Sequence, residues 1–316
     1  MTTSPAHDNT KLDPEVCRRA RLSRDRRFDG EFFLAVRTTG IYCRPICPAR
    51  APAEKNVIYY KSSSQAAQAG YRPCLRCRPE SAPDSPAWKG TSATVQRALQ
   101  LMRQGALNDG SLAKLAERLG VGERYLRKLF QRELGVSPQA VALNQRLLFA
   151  KKLLAETSLP ITEVAFAAGF GSVRRFNSAV QTHFRLTPGQ LRGRRGAGAS
   201  DQGISLQLHY RPPYDWQAIS NFYSRHAIAG VEAMTPQGYQ RNLALPGGPA
   251  SFQVRPRPGA HALQLDLQLP DHSQLMPVVA RVRRMFDLDA NPAAIAATLG
   301  QDPLLAPLLQ ACPGIR

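Results

Sequence analysis

The sequence predicts a multidomain α+β protein, in which a small four-cysteine zinc domain, an all-α double helix-turn-helix domain and an α+β C-terminal domain follow one another. Three observations predict this architecture. Four cysteines cluster within residues 43–77, a helical pattern occurs twice in the middle of the chain, and apolar and polar residues alternate in the last third. A chain of 316 residues is long enough for two or three domains of ordinary size.

Two polar, turn-rich segments separate these regions. Residues 81–86 read Ser-Ala-Pro-Asp-Ser-Pro, and residues 194–200 read Arg-Arg-Gly-Ala-Gly-Ala-Ser. Neither segment has the periodicity of a helix or a strand, so both are interpreted as linkers. We therefore expect domains at residues 1–82, 83–200 and 201–316.

Positive charge is concentrated in the first two expected domains. Residues 1–82 hold 15 basic and 8 acidic residues, a net charge of +7, and residues 83–200 hold 18 and 7, a net charge of +11. Residues 201–316 hold 9 and 8, a net charge of +1. This distribution favours a polyanionic partner, most simply double-stranded DNA. Charge alone also allows an ordinary solvated basic surface.

The sequence has no feature that predicts export or membrane insertion. Residues 1–11 lack the apolar core of a secretory signal, and no run approaches the roughly 20 apolar residues of a membrane span. We therefore expect a cytoplasmic protein with no membrane partner. Cysteines in that compartment stay reduced, so a cluster of them indicates metal binding or reactivity. Cys17 and Cys312 are isolated and are expected to be structural or incidental.

The first expected domain carries two short-spaced cysteine pairs. Cys43 and Cys47 are separated by three residues, Cys74 and Cys77 by two, and 26 residues lie between the pairs. Two such pairs are typical of a tetrahedral zinc site with four cysteine ligands, because each pair supplies two thiolates from one turn. From spacing alone, a purely structural zinc site is the commonest alternative.

The middle domain contains an internal repeat of a helix, a glycine-containing turn and a second helix. Ala116-Glu-Arg-Leu-Gly-Val-Gly122 leads to Ser137-Pro138, and Ala165-Phe-Ala-Ala-Gly-Phe-Gly171 leads to Thr187-Pro188. A repeated unit of this kind predicts two helix-turn-helix units. One long helix over 138–157 is expected between them.

Apolar residues at helical spacing define the inner face of each unit. Ser111 is the expected N-cap of the first unit and Pro160 begins the second. In the second helix of each unit the predicted buried residues are Leu126, Leu129, Phe130 and Phe176, Ala179, Val180. Outward-facing residues of types that contact DNA phosphates and base edges are Arg124, Arg127, Lys128, Gln131 and Arg174, Arg175, Ser178, Gln181. A plain helical bundle with a charged surface is the alternative.

These residues resemble the AraC/XylS-type DNA-binding domain, in which one long helix joins two helix-turn-helix units. The resemblance covers residues 90–193 and rests mainly on the second unit, with Phe176 and the closing Thr187-Pro188. It implies that both recognition helices enter major-groove segments on one face of DNA, about 34 Å apart.

The last third predicts an α+β domain. Residues 204–210 and 263–269 alternate apolar and polar side chains, as half-buried strands do. Two helical faces are expected beside these strands, and their residues are Trp216, Ile219, Phe222, Tyr223 and Val278, Val282, Met285, Phe286. The Trp and Tyr residues are interpreted as core rather than as base-stacking residues.

The cysteine region closely resembles the N-terminal domain of the Ada family. The resemblance covers about residues 15–82 and rests on residues 29–50 (Asp-Gly-Glu-Phe-Phe-Leu-Ala-Val-Arg-Thr-Thr-Gly-Ile-Tyr-Cys-Arg-Pro-Ile-Cys-Pro-Ala-Arg) and on 69–77 (Ala-Gly-Tyr-Arg-Pro-Cys-Leu-Arg-Cys). It implies direct methyl transfer from DNA methyl phosphotriesters to zinc-bound Cys43. The other zinc ligands implied are Cys47, Cys74 and Cys77.

The resemblance also implies DNA-backbone contacts from Thr39, Arg50 and Arg72. Pro48 stands where that family has a basic residue, so one contact of the family is expected to be missing. Because a zinc-bound thioether has no evident route back to a thiolate, the reaction is expected to be single-turnover. The Pro-Cys-His-Arg motif of the O-alkylguanine repair domain does not occur in the sequence.

Site charge suggests how lesion and signal are linked. Four thiolates on Zn²⁺ carry a formal charge of −2, which repels a phosphodiester anion but not a neutral triester. Methylation of one thiolate raises the charge to −1, so binding to the DNA backbone is expected to tighten. Repair would thereby become a transcriptional signal, and RNA polymerase is an expected partner.

Residues 210–216 (Tyr-Arg-Pro-Pro-Tyr-Asp-Trp), 285–289 (Met-Phe-Asp-Leu-Asp) and Asn291-Pro292 resemble the N-terminal domain of AlkA-type 3-methyladenine glycosylases. The Gly-rich hairpin and catalytic Asp of the domain that follows in those enzymes do not occur in this sequence. Base excision needs that pocket and carboxylate, so glycosylase activity is not expected from this chain.

The sequence thus predicts a bacterial, nucleoid-associated methyl-phosphotriester acceptor and activator of repair genes. Two alternatives remain at this stage. One is a 3-methyladenine glycosylase, and the other is a zinc-containing transcription factor without methyl transfer.

Overall fold

The computed structural model describes residues 12–79, 93–108, 110–192 and 203–314. Both expected linkers, 81–86 and 194–200, lie outside the described residues. The described residues form two compact units, one of 12–79, 93–102 and 110–144 and the other of 103–108, 145–192 and 203–314. The division into three domains stays a prediction.

The first unit begins with a small sheet and two short helices. Its elements are α1 (Pro14–Leu22), β1 (Phe33–Val36), β2 (Ile41–Cys43), β3 (Val57–Tyr60), α2 (Ser63–Gln68) and β4 (Arg72–Pro73). The strand order is β3-β1-β2-β4, and only the β2–β4 pair is parallel. Strand β1 lies between β3 and β2 and is buried along its whole length. Gly40 has a φ of +64°, which the tight turn between β1 and β2 requires.

Helices complete the first unit and continue into the second. They are α3 (Ala93–Arg103), α4 (Leu112–Arg118), α5 (Glu123–Leu134) and α6 (Pro138–Glu156), and α6 is shared between the two units. Ser111 caps α4 as predicted, since its side chain accepts a hydrogen bond from the backbone N–H of Lys114 at 3.2 Å. Buried Asn144, at the start of α6, donates to the hydroxyls of Ser63 and Ser64 at 3.0 and 3.2 Å.

The second unit holds the second helical repeat, α7 (Ile161–Ala167), α8 (Val173–Phe184) and α9 (Pro188–Arg192). Phe176 and Val180 are fully buried, as are Leu126 and Phe130 in the first repeat, and Leu129 is 2% exposed. Ala179 is half-buried. The predicted inner faces are therefore confirmed. The expected long helix is α6, which ends at Glu156.

The second unit also contains a five-stranded antiparallel sheet. Its strands are β5 (Ile204–His209), β6 (Glu232–Thr235), β7 (Gly238–Leu245), β8 (Gly248–Pro256) and β9 (Ala262–Gln268), in the order β5-β9-β8-β7-β6. The two strands predicted from sequence are β5 and β9, which pair with each other. Strand β5 therefore lies at one edge of the sheet and β6 at the other.

Four helices accompany this sheet: α10 (Trp216–His226), α11 (Leu275–Met285), α12 (Pro292–Leu299) and α13 (Leu305–Ala311). Trp216 stacks on Phe286 with ring centroids 5.9 Å apart, and Ile219 is buried. Phe222, which the sequence places on the same helical face, is 56% exposed. Position 222 lies at the margin of the apolar stripe, and its ring contacts Tyr223 and His226 of the same helix. Within the described residues, no helix has both the length and the apolar character of a membrane span.

Candidate metal centre

The parallel pairing of β2 and β4 brings the two cysteine pairs together. Ile41 lies opposite Arg72 and Tyr42 opposite Pro73, so Cys43 and Cys74 leave the sheet side by side. The backbone N–H of Cys74 donates to the carbonyl of Tyr42 at 2.9 Å. Within the loop that follows β2, the N–H of Cys47 donates to the Arg44 carbonyl at 3.1 Å, which turns Cys47 back toward the cluster.

The sulfur atoms of all four cysteines lie within 4.8 Å of one another. Thiolates around tetrahedral zinc lie about 3.8 Å apart, since each Zn–S bond is about 2.3 Å long. The four residues therefore fit a zinc ion with adjustments of no more than about 1 Å. Three of the cysteines are buried against Leu34 and Val36, and Cys47 is partly exposed.

Hydrogen bonds between the thiols of the cluster shift their pKa values in different directions. Hydrogen bonds with Cys47, Cys74 and Cys77, together with burial, raise the pKa of Cys43. Hydrogen bonds from Cys43 lower the pKa of Cys47 to about 7 and also lower the pKa of Cys74. Four neighbouring thiolates repel one another unless a cation compensates their charge, and zinc is a cation that thiolate ligands prefer.

A buried ion pair between Arg44 and Asp29 contacts the cluster through Cys77, and the sequence did not predict it. The Arg44 guanidinium binds both carboxylate oxygens of Asp29, one of them from Nε at 2.7 Å, and its Nη1 donates to the Cys77 carbonyl at 3.1 Å. Arg44 is 8% and Asp29 5% exposed. The backbone N–H of Arg44 also donates to the Cys77 sulfur at 3.3 Å. The only signal in the sequence was an Arg directly after the first ligand.

The three residues expected to contact the DNA backbone lie around the cluster. Thr39 and Arg50 are exposed, and Arg72 is half-buried. The N–H of Arg72 donates to the carbonyl of Gly40 at 2.8 Å, so Arg72 lies beside the turn that carries Thr39. Their contacts with DNA remain predictions.

Arg24 is a further basic residue at this surface, and the sequence analysis missed it. Its exposed guanidinium donates to the carbonyls of Pro48 and Ala49 at 3.5 and 3.3 Å, in the loop that follows Cys47. Arg24 has a φ of +51°, an uncommon conformation for a residue with a side chain. The chain thus places the cation of Arg24, two residues after the end of α1, beside Pro48, the position at which the Ada resemblance implies a basic residue that this chain lacks.

The outward residues of both helix-turn-helix units lie where the sequence predicts them. All eight are exposed on the second helix of their unit: Arg124, Arg127, Lys128 and Gln131 on α5, and Arg174, Arg175, Ser178 and Gln181 on α8. Arg127 is held by an ion pair with Glu123 one turn earlier. Ser172 caps α8 by accepting a hydrogen bond from the N–H of Arg175 at 3.3 Å. Both helices therefore present a basic, polar surface.

A four-thiol zinc site together with two helix-turn-helix units defines a zinc-containing protein of the DNA-binding regulator class. Three family models match the chain: the metal binding domain of Ada at residues 16–80, a helix-turn-helix domain at 115–194 and the AlkA N-terminal domain at 205–316. The chain therefore joins an Ada-type zinc domain and a helix-turn-helix domain to an AlkA-type N-terminal domain.

Similar proteins are found in several bacteria. The chain is 41% identical over 309 residues to the probable bifunctional transcriptional activator/DNA repair enzyme AlkA of Mycobacterium tuberculosis, covering 96% of this chain and 62% of that protein. It is 34% identical over 171 residues to the bifunctional transcriptional activator/DNA repair enzyme Ada of Escherichia coli, covering 54% and 47%. For AdaA of Bacillus subtilis the identity is 28% over 173 residues, covering 54% and 79%. The chain thus spans less than two thirds of the length of the first two relatives.

Proposed function

We propose that the chain repairs methyl phosphotriesters in double-stranded DNA by transferring the methyl group to Cys43, and that the methylated protein activates repair genes. The proposal is supported by the buried four-cysteine cluster in an Ada-type domain that shares one chain with two helix-turn-helix units. The relatives from Mycobacterium tuberculosis and Escherichia coli are named as both transcriptional activators and DNA repair enzymes, the two roles proposed for this chain.

The transfer is a displacement at the methyl carbon. The Cys43 sulfur supplies the electron pair for the new S–C bond, the C–O bond to the phosphate breaks, and its electrons remain on the phosphate oxygen. The DNA regains an anionic phosphodiester and Cys43 becomes a thioether. Zinc, held by the four cysteines, supplies the positive charge that keeps them as thiolates at neutral pH.

Hydrogen bonding favours Cys43 as the acceptor. Backbone N–H groups donate to the other three sulfurs: that of Ala49 to Cys47, that of Cys77 to Cys74, and that of Arg44 to Cys77. Within residues 12–79, the described hydrogen bonds of the Cys43 sulfur are with the other three thiols. A donor stabilises the thiolate charge and makes the sulfur less nucleophilic. When the thiols are deprotonated, Cys43 therefore keeps the most available electron pair.

Charge links repair to DNA binding. Loss of one thiolate charge reduces repulsion from the DNA backbone, so basic residues around the cluster hold DNA more tightly. We propose Arg24 as a backbone contact in addition to Thr39, Arg50 and Arg72, since its guanidinium lies at the Pro48 loop. Sequence-specific contacts come from the exposed residues of α5 and α8.

The same proposal assigns partners and location. The DNA partners are methylated duplex and promoter sites, and activation implies contact with RNA polymerase. The protein acts in the bacterial cytoplasm, associated with the nucleoid.

Intact-protein and peptide mass spectrometry tests the proposal after the zinc-loaded chain is incubated with duplex DNA that carries methyl phosphotriesters. We expect one methyl group per chain, on the peptide that contains Cys43. Cys43→Ser should abolish the adduct, whereas Cys312→Ser, a change at an exposed cysteine outside the cluster, should leave it unchanged. No adduct on the zinc-loaded chain, or an adduct on Cys47, would contradict the assignment.

A further inference from the structure

Strand β5 is an edge of the five-stranded sheet, and one of its residues has its outward backbone groups covered. Gln207 lies opposite Gln264 of β9. On the other side, the backbone N–H of Gln207 donates to Glu156 Oε2 at 3.0 Å, and its carbonyl accepts a hydrogen bond from Lys152 Nζ. Edge strands normally leave such groups unpaired. Two side chains of α6 therefore supply the hydrogen bonds that a neighbouring strand would make.

The two side chains that bind Gln207 also form a buried ion pair. Lys152 Nζ lies 2.8 Å from Glu156 Oε2, one helical turn away, and the side chains are 8% and 5% exposed. Buried charges are tolerated only when they are paired and hydrogen-bonded, and loss of one partner leaves the other uncompensated. The ion pair lies within α6 and moves with it, so a shift of α6 along β5 would instead leave the backbone N–H and carbonyl of Gln207 without these two partners.

A second contact reaches the helix-turn-helix unit itself. His272, in the turn that precedes α11, has Nδ1 at 2.6 Å from Oε2 of Glu163 on α7. Helix α7 packs against α8, and Phe170 in the intervening turn contacts buried Phe176 with ring centroids 5.3 Å apart. The β5 contact holds α6, and the His272 contact holds α7, the helix that packs against α8. Arg146 of α6 also donates to the carbonyl of Gly169 in the turn between α7 and α8 at 3.3 Å, so both helices connect α8 to the AlkA-type domain.

We propose that the AlkA-type domain serves as a brace for the second helix-turn-helix unit and sets the orientation in which α8 meets DNA. In this role the domain needs no catalytic residue of its own, and its function in this chain is to position Arg174, Arg175, Ser178 and Gln181. The inference rests on the DNA binding by α8 proposed above. Lys152, Glu156 and His272 are positioning residues, because they act on DNA only through α6, α7 and α8.

Hydrogen exchange on the full zinc-loaded chain tests the brace without DNA. Glu156→Ala should accelerate amide exchange in α7 and α8 by about tenfold or more and leave α5 unchanged. Glu232→Gln is the matched control, because it removes a similarly buried carboxylate, 7% exposed, from its ion pair with Arg241 at the opposite edge strand β6. The control should change exchange near β6 and not in α8. Unchanged α8 exchange in Glu156→Ala would overturn the proposal.

Footprinting then tests the consequence for DNA, using a duplex enriched from a random-sequence pool by the unaltered chain. The segment that α8 contacts is assigned with Arg175→Ala. Glu156→Ala should lose protection of that segment while the α5 segment stays protected, and Glu232→Gln should protect both. Failure of the unaltered chain to enrich any duplex would refute DNA binding itself, whereas equal protection by Glu156→Ala would refute only the brace.

Glu156→Ala could unfold the whole unit, and a milder variant covers that outcome. His272 and Glu163 are 32% and 43% exposed, so His272→Ala removes their contact with little effect on the core. Its α8 segment should be bound about threefold more weakly, with the α5 segment unchanged. If His272→Ala behaves as the unaltered chain in both exchange and footprint while Glu156→Ala is unfolded, the proposal is rejected.

Discussion

Asp29→Asn tests whether the buried pair behind the cysteine cluster controls zinc binding. The substitution keeps the size of the side chain and one carbonyl acceptor, but it removes the charge that balances Arg44. Arg44 also donates to the carbonyl and to the sulfur of Cys77. An unbalanced guanidinium at this position therefore acts directly on a residue of the metal cluster.

The size of the effect follows from burial. Asp29 and Arg44 are 5% and 8% exposed, so solvent cannot replace the lost carboxylate. Removing one partner of a buried ion pair costs about 3–5 kcal/mol. Because Asn retains one acceptor, we expect the lower end, about 3 kcal/mol, which corresponds to roughly 100-fold weaker zinc binding if the zinc-bound fold bears the whole loss.

Competition with a chromophoric chelator measures the zinc dissociation constant of the full chain. Glu15→Gln provides the control, because it removes an exposed ion pair with Arg18 in the same domain, with both side chains more than 40% exposed. Its effect should stay within about 0.5 kcal/mol. A dissociation constant for Asp29→Asn within about threefold of the unaltered chain would refute the reasoning, because it would show that the pair carries no coupling to the metal site.

Three further predictions address the DNA surface, the helical core and pH. Arg24→Ala should leave zinc content unchanged and reduce the slope of log binding constant against log salt concentration by about one unit. Arg27→Ala is the control and should reduce that slope less, because the Arg27 guanidinium is already paired with Asp25. Equal slopes for the two variants would show that Arg24 does not contact DNA. Phe176→Ala, at a fully buried position, should lower the free energy of unfolding by about 3–5 kcal/mol in urea titrations. A loss below about 1 kcal/mol would show that neighbouring side chains collapse into the cavity. Burial opposes ionisation of Asp289, but Arg283 and Arg103 outweigh it and hold its pKa below the ordinary value of 3.8. The stability that this ionised carboxylate contributes is present above pH 3.8 and is lost as pH falls through the lower pKa of the folded state. Asp289→Asn should therefore lower Tm at neutral pH by an amount that narrows in acid, and a Tm difference that does not depend on pH would contradict the assignment.

Much of the helical region could be predicted from the sequence because its signals are local. Ser111 occurs at the N-cap position, and the stripe of Leu126, Leu129 and Phe130 repeats at helical spacing, so one face of α5 had to be buried. The exposure of Arg124 and Arg174 follows from the same periodicity. Phe222 shows the limit of this reasoning, since a residue at the margin of a stripe is buried only if a neighbouring element extends over it.

The cluster could also be predicted, but its environment could not. Short spacing identified Cys43, Cys47, Cys74 and Cys77 as candidate ligands before any fold was known. Nothing local distinguishes Arg44 from a surface arginine, because its partner Asp29 lies 15 positions earlier in the chain. The same holds for Arg24, whose contacts lie 24 and 25 positions away.

By itself, the sequence determined which residues can bind metal, which helices form and which of their faces carry charge. These properties depend on residue type and on spacing within a few turns of chain. The tertiary structure alone decided which sulfurs receive backbone donors, that Arg44 is buried against Asp29, and that Lys152 and Glu156 close the edge at Gln207 across more than 50 positions. Such contacts depend on how distant segments pack, and a buried charge or an edge strand has no periodic signature that would reveal its partner in advance.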